Sequence, residues 1–204
     1  MTVSMPTRDR IIDAAMRLFS EQGFRGTSVT QIEDAAGLAA GAGGIYHYFR
    51  SKEELLAAGI DRHLARLVAL RELRQLLTGL SDLRSELTIM ARYTLAELDR
   101  ERELLLILAT ESRSRPELVR DAVDQLIDAS YPDFAGWLRD RSGGVMPTER
   151  ARAVSVVGLG ALLSPRILSV LGMTSVTVDD EAFVQTWVDM MIAMIEGGSV
   201  PASW

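Results

Sequence analysis

The residues with the clearest potential for chemistry lie between Ala36 and Lys52. The stretch from Ala36 to Phe49, AGLAAGAGGIYHYF, begins with small apolar residues and ends in an aromatic cluster. Tyr46 and His47 can donate hydrogen bonds to phosphate oxygens, and Lys52, the only lysine of the chain, follows shortly. Three interpretations fit this pattern: a phosphate-binding glycine loop, a flexible linker, or the part of a helix-turn-helix that lies against DNA.

The glycine run GAGGIY, which begins at Gly41, fits a dinucleotide-binding loop poorly. That motif needs a preceding strand and the pattern G-x-G-x-x-G. Here the preceding residues have a helical pattern, and the sixth position is Tyr46. We therefore favour the helix-turn-helix interpretation over a nucleotide site.

Small residues suit a segment that must bring its backbone close to base edges, and alanine methyl groups can contact thymine methyl groups. Each glycine disfavours a helix by about 1 kcal/mol, so neighbouring residues must hold such a recognition helix in place. Ile45 and Phe49 have i, i+4 spacing and are predicted to anchor it from beneath. The residues predicted to face DNA within this run are Ala40, Gly41, Ala42 and Gly43.

The rest of the chain has a helical pattern almost throughout. Apolar residues between Thr7 and Glu21 recur with a period near 3.6, and Ile32 and Ala35 are predicted to face inward. Capping boxes begin at Ser28 and at Ser51. The helices are predicted over 7–21, 29–36, 50–77, 82–99, 101–112, 116–139, 148–171 and 180–196. The fold class is therefore all-α, with three short helices followed by a larger bundle, and the first part has helix-turn-helix spacing.

Composition narrows the function classes further. The chain of 204 residues has no cysteine and two histidines, which excludes disulfides and thiolate metal sites and predicts neither a metal site nor a cofactor. No apolar run is expected to reach the length of a membrane span, so a cytoplasmic protein without a membrane partner is predicted. Residues 1–52 hold six basic and five acidic side chains, whereas the remaining 16 basic and 23 acidic side chains make the rest acidic.

The N-terminal part of the sequence resembles the N-terminal domain of the TetR family of bacterial transcriptional repressors (TetR/AcrR-like). The matching motifs are I-x-x-A-A-x-x-L-F-x-x-x-G-F, G-T-S-V, I-x-x-A-A-G-L and I-Y-H-Y-F-x-S-K-E-x-L, which together cover about residues 8–56. One departure is that the segment between Gly37 and Tyr46 is two residues longer than the family pattern A-G-V-S-x-G-T-L-Y.

The resemblance implies a helix-turn-helix DNA-binding domain at 6–52 and a ligand-binding and dimerisation domain at 53–204, joined by a shared helix from Ser51. It implies a double-stranded DNA operator as partner, a small-molecule effector, and a homodimer formed through the last two long helices. Tyr46, His47 and Lys52 are the expected phosphate contacts. Further expected phosphate contacts, around the start of the second helix, are Arg25, Thr27 and Ser28.

The effector is expected to be largely apolar, since no buried cation is evident in the second domain. Candidate wall residues are Met90, Tyr93, Phe134 and Trp137, although for any one of them an ordinary core role is favoured over ligand contact. His63 is predicted to be a plain polar residue on the shared helix. An enzyme with a bundle carboxylate site is set aside because no Glu-x-x-His pair occurs. The alternative that stays open is an α-helical ligand-binding or scaffold protein without sequence-specific DNA binding.

Overall fold

The computed structural model describes residues 5–77, 82–173 and 178–197. Within these ranges the chain forms α-helices and one 3₁₀ turn, Gly44–His47, and no strand, which confirms the all-α prediction. The helices are α1 (Thr7–Gly26), α2 (Val29–Ala35), α3 (Lys52–Leu77), α4 (Leu83–Arg100), α5 (Arg102–Glu111), α6 (Pro116–Arg141), α7 (Thr148–Val170) and α8 (Asp180–Glu196).

The chain divides into two compact units. The first comprises Met1–Arg66 and Glu101–Asp124, and the second comprises Leu67–Arg100 and Gln125–Trp204. Helices α3 and α6 each contribute residues to both units. The first unit thus holds α5 in addition to the segment predicted as the DNA-binding domain, and the functional division at residue 52 stays a prediction.

The core of the first unit forms where α1 packs against α5 and α2. The predicted inward face of α1 is confirmed, because Ile11, Ile12 and Phe19 are almost fully buried. On α2, Ile32 is buried as predicted, but Ala35 is exposed and Ala36 is buried instead. Ala36 lies four residues after Ile32, on the same side of the helix, and its N–H donates to the Ile32 carbonyl.

A buried ionisable pair also lies in the first unit. The His63 imidazole is 4% exposed and contacts the Glu101 carboxylate, which is 1% exposed, through Nδ1 and Oε2. The prediction of a plain polar role for His63 is therefore wrong. A single sequence does not indicate this contact because its partner lies 38 positions along the chain.

The core of the second unit forms among α4, α6, α7 and α8. At its centre, Gly158 of α7 lies so close to α8 that an added Cβ would be 2.9 Å from Sδ of Met191. The Trp187 indole N–H donates to the Gly158 carbonyl over 2.8 Å. A glycine at this position lets the two helices approach closely and exposes a backbone acceptor to the indole.

The opposite side of α7 is exposed and apolar. Val156 and Val157 are 56% and 50% exposed. Ile167 and Leu171, near the end of the helix, are exposed as well. By length and composition α7 could cross a membrane, and it is the only such helix among the described residues, so the expectation that no segment reaches that length was wrong.

Candidate nucleic-acid interface

Between α2 and the 3₁₀ turn the backbone forms a loop rather than a helix. Gly37, Gly41 and Gly43 have φ angles of 69°, 75° and 72°, in the left-handed region that glycine adopts without strain. An α-helix needs φ near −63°, so these glycines interrupt it. The prediction of a recognition helix here is therefore wrong. The segment Gly37–Gly43, here called the glycine loop, and the 3₁₀ turn occupy its place.

The outer surface of the glycine loop is small and accessible. Ala39, Ala40, Gly41 and Ala42 are all exposed, and Gly43 is partly exposed. An added Cβ at Gly41 would have no neighbour within 4 Å. The loop can therefore approach another surface as closely as its backbone and alanine methyl groups allow.

Two buried side chains anchor the 3₁₀ turn from beneath, as predicted. Ile45 and Phe49 are each 3% exposed. The Arg8 guanidinium lies 5.1 Å from the centroid of the Phe49 ring, which places a cation from the start of α1 beside this anchor. The glycine loop and the aromatic residues that follow it are thus fixed to the core on one side only.

Three polar ring side chains surround the anchors on the solvent side. Tyr46 is 56% exposed, Tyr48 is 45% exposed, and His47 is also exposed. Tyr46 and His47 follow the glycine loop in the chain and are accessible, and their phosphate contacts stay a prediction. Tyr48 was not among the predicted contacts, although its place in the aromatic cluster could have indicated it.

Lys52 faces inward rather than toward solvent. Its ammonium donates to the carbonyls of Phe24 and Thr27, each at 2.7 Å, and lies 4.2 Å from the centroid of the Phe24 ring. These carbonyls lie at the C-terminal end of α1, where unpaired carbonyls carry partial negative charge. The predicted phosphate role is corrected accordingly, because Lys52 joins the start of α3 to the end of α1.

Thr27 also serves the fold. Its side chain is 1% exposed, and its hydroxyl contacts the carbonyls of Gly23 at 2.9 Å and Leu18 at 3.1 Å. This internal role replaces the predicted phosphate contact of its side chain. The neighbouring Arg25 and Ser28 are exposed, and Ser28 forms the predicted capping box with Gln31.

Sequence reasoning missed the residue that supports the loop, Glu33 of α2. Its carboxylate is 1% exposed and accepts hydrogen bonds from the Gly41 N–H at 2.7 Å and the Ile45 N–H at 3.2 Å. The available signal was a carboxylate placed just before a long glycine-containing stretch whose N–H groups need acceptors. Neither partner is identifiable from residue type, since both are backbone groups.

Comparison with known proteins connects this geometry to a family. Residues 11–58 match the family described as "Bacterial regulatory proteins, tetR family". Residues 11–58 thus form a domain of the type that this family model describes. The match contains α1, α2, the glycine loop, the 3₁₀ turn and the start of α3, which are the elements that position the exposed surface.

Two curated TetR-like relatives share this part of the chain. The HTH-type transcriptional regulator UidR of Escherichia coli K12 is 42% identical over 69 residues, which cover 32% of this chain and 34% of UidR. The HTH-type transcriptional repressor KstR2 of Rhodococcus jostii is 45% identical over 49 residues, covering 24% of this chain and 23% of KstR2. These matches span about a third or less of the relatives' length. Their names indicate regulators rather than enzymes, as predicted.

The whole fold has solved counterparts. The regulator FadR of Bacillus subtilis, solved in complex with stearoyl-CoA, matches with a TM-score of 0.69 at 19% identity, over 91% of this chain and 98% of FadR. Similarity at this identity establishes the fold. It confirms the predicted arrangement of an N-terminal helix-turn-helix region followed by a C-terminal helical region.

The four predicted ligand-wall residues lie in or beside the core of the second unit. Phe134 and Trp137 are buried on α6 with their rings stacked, 5.6 Å between centroids and 17° between planes. Met90 packs against the same core, and Tyr93 is partly buried on α4. The Trp137 indole N–H is buried and has no hydrogen-bond partner among the described residues. Their role in ligand binding stays a prediction.

Proposed function

We propose that this protein is a ligand-responsive transcriptional repressor that binds a pseudo-palindromic operator as a homodimer. The observation that carries the proposal is the exposed glycine loop, fixed to the core through Ile45 and Phe49 inside a TetR-family domain. The repressor assignment is supported by the name of the relative KstR2. A protein with this role acts on chromosomal DNA in the bacterial cytoplasm.

The chemistry of the loop supports DNA contact by shape and methyl groups more than by base-edge hydrogen bonds. Residues 37–44 include no Arg, Asn or Gln, the side chains that make bidentate contacts to guanine and adenine. The proposed direct contacts are therefore alanine methyl groups of the loop with thymine methyl groups. Phosphate contacts would come from Tyr46 and His47, with Arg25 as a further exposed cation.

The exposed apolar face of α7 supports a homodimer. Isolated exposed valines are ordinary, but Val156 and Val157 share a helix with exposed Ile167. A second copy of the chain would bury this face in an isologous contact, as two-fold symmetric dimers do. Two glycine loops would then reach successive major grooves about 34–36 Å apart on one face of DNA.

The proposed effector is a small, largely apolar molecule bound in the second unit. The stearoyl chain of the stearoyl-CoA in the FadR complex supports an apolar portion of the ligand for a protein of the same fold, whereas the CoA group of that ligand is polar and anionic. The proposed apolar contacts include Phe134 and Trp137, whose stacked rings lie buried in the core of the second unit. An effector changes operator affinity only through its preference for one conformation, typically by about 1–3 kcal/mol. Helix α3, which contributes to both units, is the proposed connection.

The test is binding of the purified protein to the DNA upstream of its own gene, by gel shift and fluorescence anisotropy at two salt concentrations. The proposal predicts one dimer per site, a two-fold symmetric footprint, and affinity that falls with salt. Tyr46→Ala should weaken operator binding about tenfold, the loss of about one charge-assisted hydrogen bond to phosphate. Size-exclusion chromatography of the variant should show an unchanged dimer.

The alternative is a helical ligand-binding or scaffold protein that does not select DNA sequences. It predicts equal affinity for upstream DNA and for a scrambled sequence of the same length. Binding that is absent at low salt, or that is equally strong for both DNAs, would favour this alternative. An unchanged affinity of the Tyr46→Ala variant would contradict the contact surface assigned here.

A further inference from the structure

The Glu33 carboxylate makes hydrogen bonds that do not belong to its own helix, α2. Its carboxylate is buried, and burying a charge is costly unless hydrogen bonds compensate. Its two hydrogen bonds with described residues go to backbone N–H groups, those of Gly41 and Ile45, instead of a cationic side chain. The stabilising interactions of this carboxylate are therefore directed to the loop that follows α2.

The two hydrogen bonds span a glycine-rich segment, which is costly to order. Gly41 lies at the exposed tip of the glycine loop, and Ile45 lies in the 3₁₀ turn. The residues between them are Ala42, Gly43 and Gly44, and glycine loses more backbone freedom on ordering than any other residue. One carboxylate thus holds together both ends of a segment that includes two glycines.

The chemistry of the carboxylate suits this role. Hydrogen bonds to an ionised acceptor are short and strong, and the Gly41 N–H lies 2.7 Å from Oε2. The Ile45 N–H, at the start of the 3₁₀ turn, donates to Oε1 of the same carboxylate. An amide at position 33 offers one oxygen acceptor and would point an N–H group at the second donor.

We propose that Glu33 is a positioning residue for sequence selectivity: its buried carboxylate fixes the glycine loop in the conformation that distinguishes operator DNA from other DNA. This inference rests on the proposed DNA-binding function. Selective contacts depend on the position of the loop at the base edges, whereas non-specific binding depends on phosphate contacts alone. Loss of the carboxylate therefore reduces selectivity more than general affinity for DNA.

The first test compares Glu33→Gln with Asp34→Asn in the full-length protein. Asp34 is the next residue of α2, is exposed, and loses the same negative charge when changed to Asn. The measured quantity is the ratio of affinities for upstream DNA and scrambled DNA. Glu33→Gln should lower this ratio tenfold or more, with non-specific affinity within about twofold of the Asp34→Asn value. A ratio equal to that of the wild type would overturn the proposal.

The second test needs no DNA and no variant at position 33. Amide hydrogen exchange of the wild-type protein should show protected Gly41 and Ile45 N–H groups, in contrast to the unprotected amides of a free loop. Rapid exchange at both sites would overturn the proposal. If the wild-type protein fails to bind DNA selectively, the proposed function fails, while this measurement still decides whether the carboxylate orders the loop.

A third variant covers the case in which Glu33→Gln does not fold. Gly41→Ala adds a methyl group into open space but places it on a residue with φ of 75°, so it strains the loop without altering the core. The proposal predicts a loss of selectivity similar to that of Glu33→Gln. A Gly41→Ala protein that keeps the wild-type selectivity ratio would overturn the view that this loop conformation selects DNA.

Discussion

Glycine has opposite roles in the two units of this protein. In the glycine loop, Gly41 and Gly43 adopt left-handed backbone conformations at an exposed surface, and a buried carboxylate holds the loop in place. In α7, Gly158 is part of a regular helix and allows α8 to pack closely against it. Residues 153–165 of α7, like the glycine loop, include no charged side chain, so composition alone does not tell the two segments apart.

The two units are held together by different kinds of interaction. In the first unit, polar side chains fix the backbone: Glu33 accepts from the glycine loop, and Thr27 and Lys52 bind carbonyls of α1. The second unit relies on apolar packing around Gly158, and it leaves an apolar face of α7 exposed. We therefore expect substitutions near the loop to affect DNA selection and local stability, and those on α7 to affect assembly.

The largest expected effect follows from placing charge on the exposed face of α7. Because two-fold symmetry brings equivalent residues together, Val156→Asp with Val157→Asp would place four carboxylates in one buried contact. We expect a monomer in analytical ultracentrifugation and an operator affinity at least about a hundredfold weaker, the effect of losing the second half-site contact.

Val145→Asp is the matched control, because Val145 is 71% exposed in the connection before α7. It should remain a dimer with wild-type operator affinity. A dimer that survives both substitutions on α7 would assign the interface to another surface. It would contradict the expectation that substitutions on α7 affect assembly.

The next prediction tests the inward orientation of Lys52 through the stability of the protein. Lys52→Met keeps much of the apolar stem but removes both hydrogen bonds to the end of α1. We expect the free energy of unfolding, measured with urea, to fall by about 1–3 kcal/mol, the range for hydrogen bonds of charged groups. Lys52→Arg should lower the free energy of unfolding by less. A Lys52→Met protein with wild-type stability but weakened DNA affinity would instead support a phosphate contact of Lys52.

Gly158 and Gly160 allow a matched comparison within one helix. A Cβ at Gly160 has no neighbour within 4 Å, whereas one at Gly158 would be 2.9 Å from Met191 Sδ. Gly160→Ala should raise the free energy of unfolding by about 0.5–1 kcal/mol through helix propensity. Gly158→Ala should lower it by about 1 kcal/mol, since overpacking outweighs that gain. Equal stabilities would show that Met191 moves aside without cost.

The smallest effect is a pH dependence in the second unit. Arg166 of α7 donates hydrogen bonds to Asp99 and Asp180, and its bond to Asp180 holds the pKa of that carboxyl below its ordinary value. A carboxylate with a depressed pKa stabilises the fold above the pKa of the unfolded chain, about 3.9, and loses this contribution as pH falls through the folded pKa.

Arg166→Met should therefore lower stability by about 0.5–1 kcal/mol at pH 5–8, and its difference from the wild type should shrink below pH 4. Thermal unfolding at a series of pH values measures this. Arg152→Met, which removes an exposed ion pair with Glu149 on the same helix, should have little effect at any pH. A difference that persists unchanged at pH 3 would exclude the Asp180 carboxylate as its cause.

The sequence was sufficient to predict regular elements and their buried faces. The capping box at Ser28 and the anchors Ile45 and Phe49 follow from short-range spacing, which one sequence displays directly. The α5 helix, predicted at 101–112, extends over Arg102–Glu111. These features depend on local periodicity and capping, so tertiary structure did not alter them.

Other features depend on contacts that residue types do not identify. The glycines of the loop permit both a weak helix and a left-handed turn, and the hydrogen bonds from Gly41 and Ile45 to Glu33 accompany the turn. The long side chain of Lys52 could reach phosphate or the end of α1 equally well in sequence terms. Its position next to carbonyls 25 and 28 residues earlier in the chain is visible only in the structure.

The central claim is that the exposed glycine loop lies against base pairs, and the absence of cysteine permits a direct test. Ala42→Cys, labelled with an iron chelate that cleaves nearby DNA, should cut upstream DNA in two clusters centred about 10 base pairs apart, one for each major groove. Val145→Cys, exposed outside the loop, serves as the control. Cleavage from position 145 alone, or no cleavage by an Ala42→Cys protein that still binds this DNA, would contradict the account.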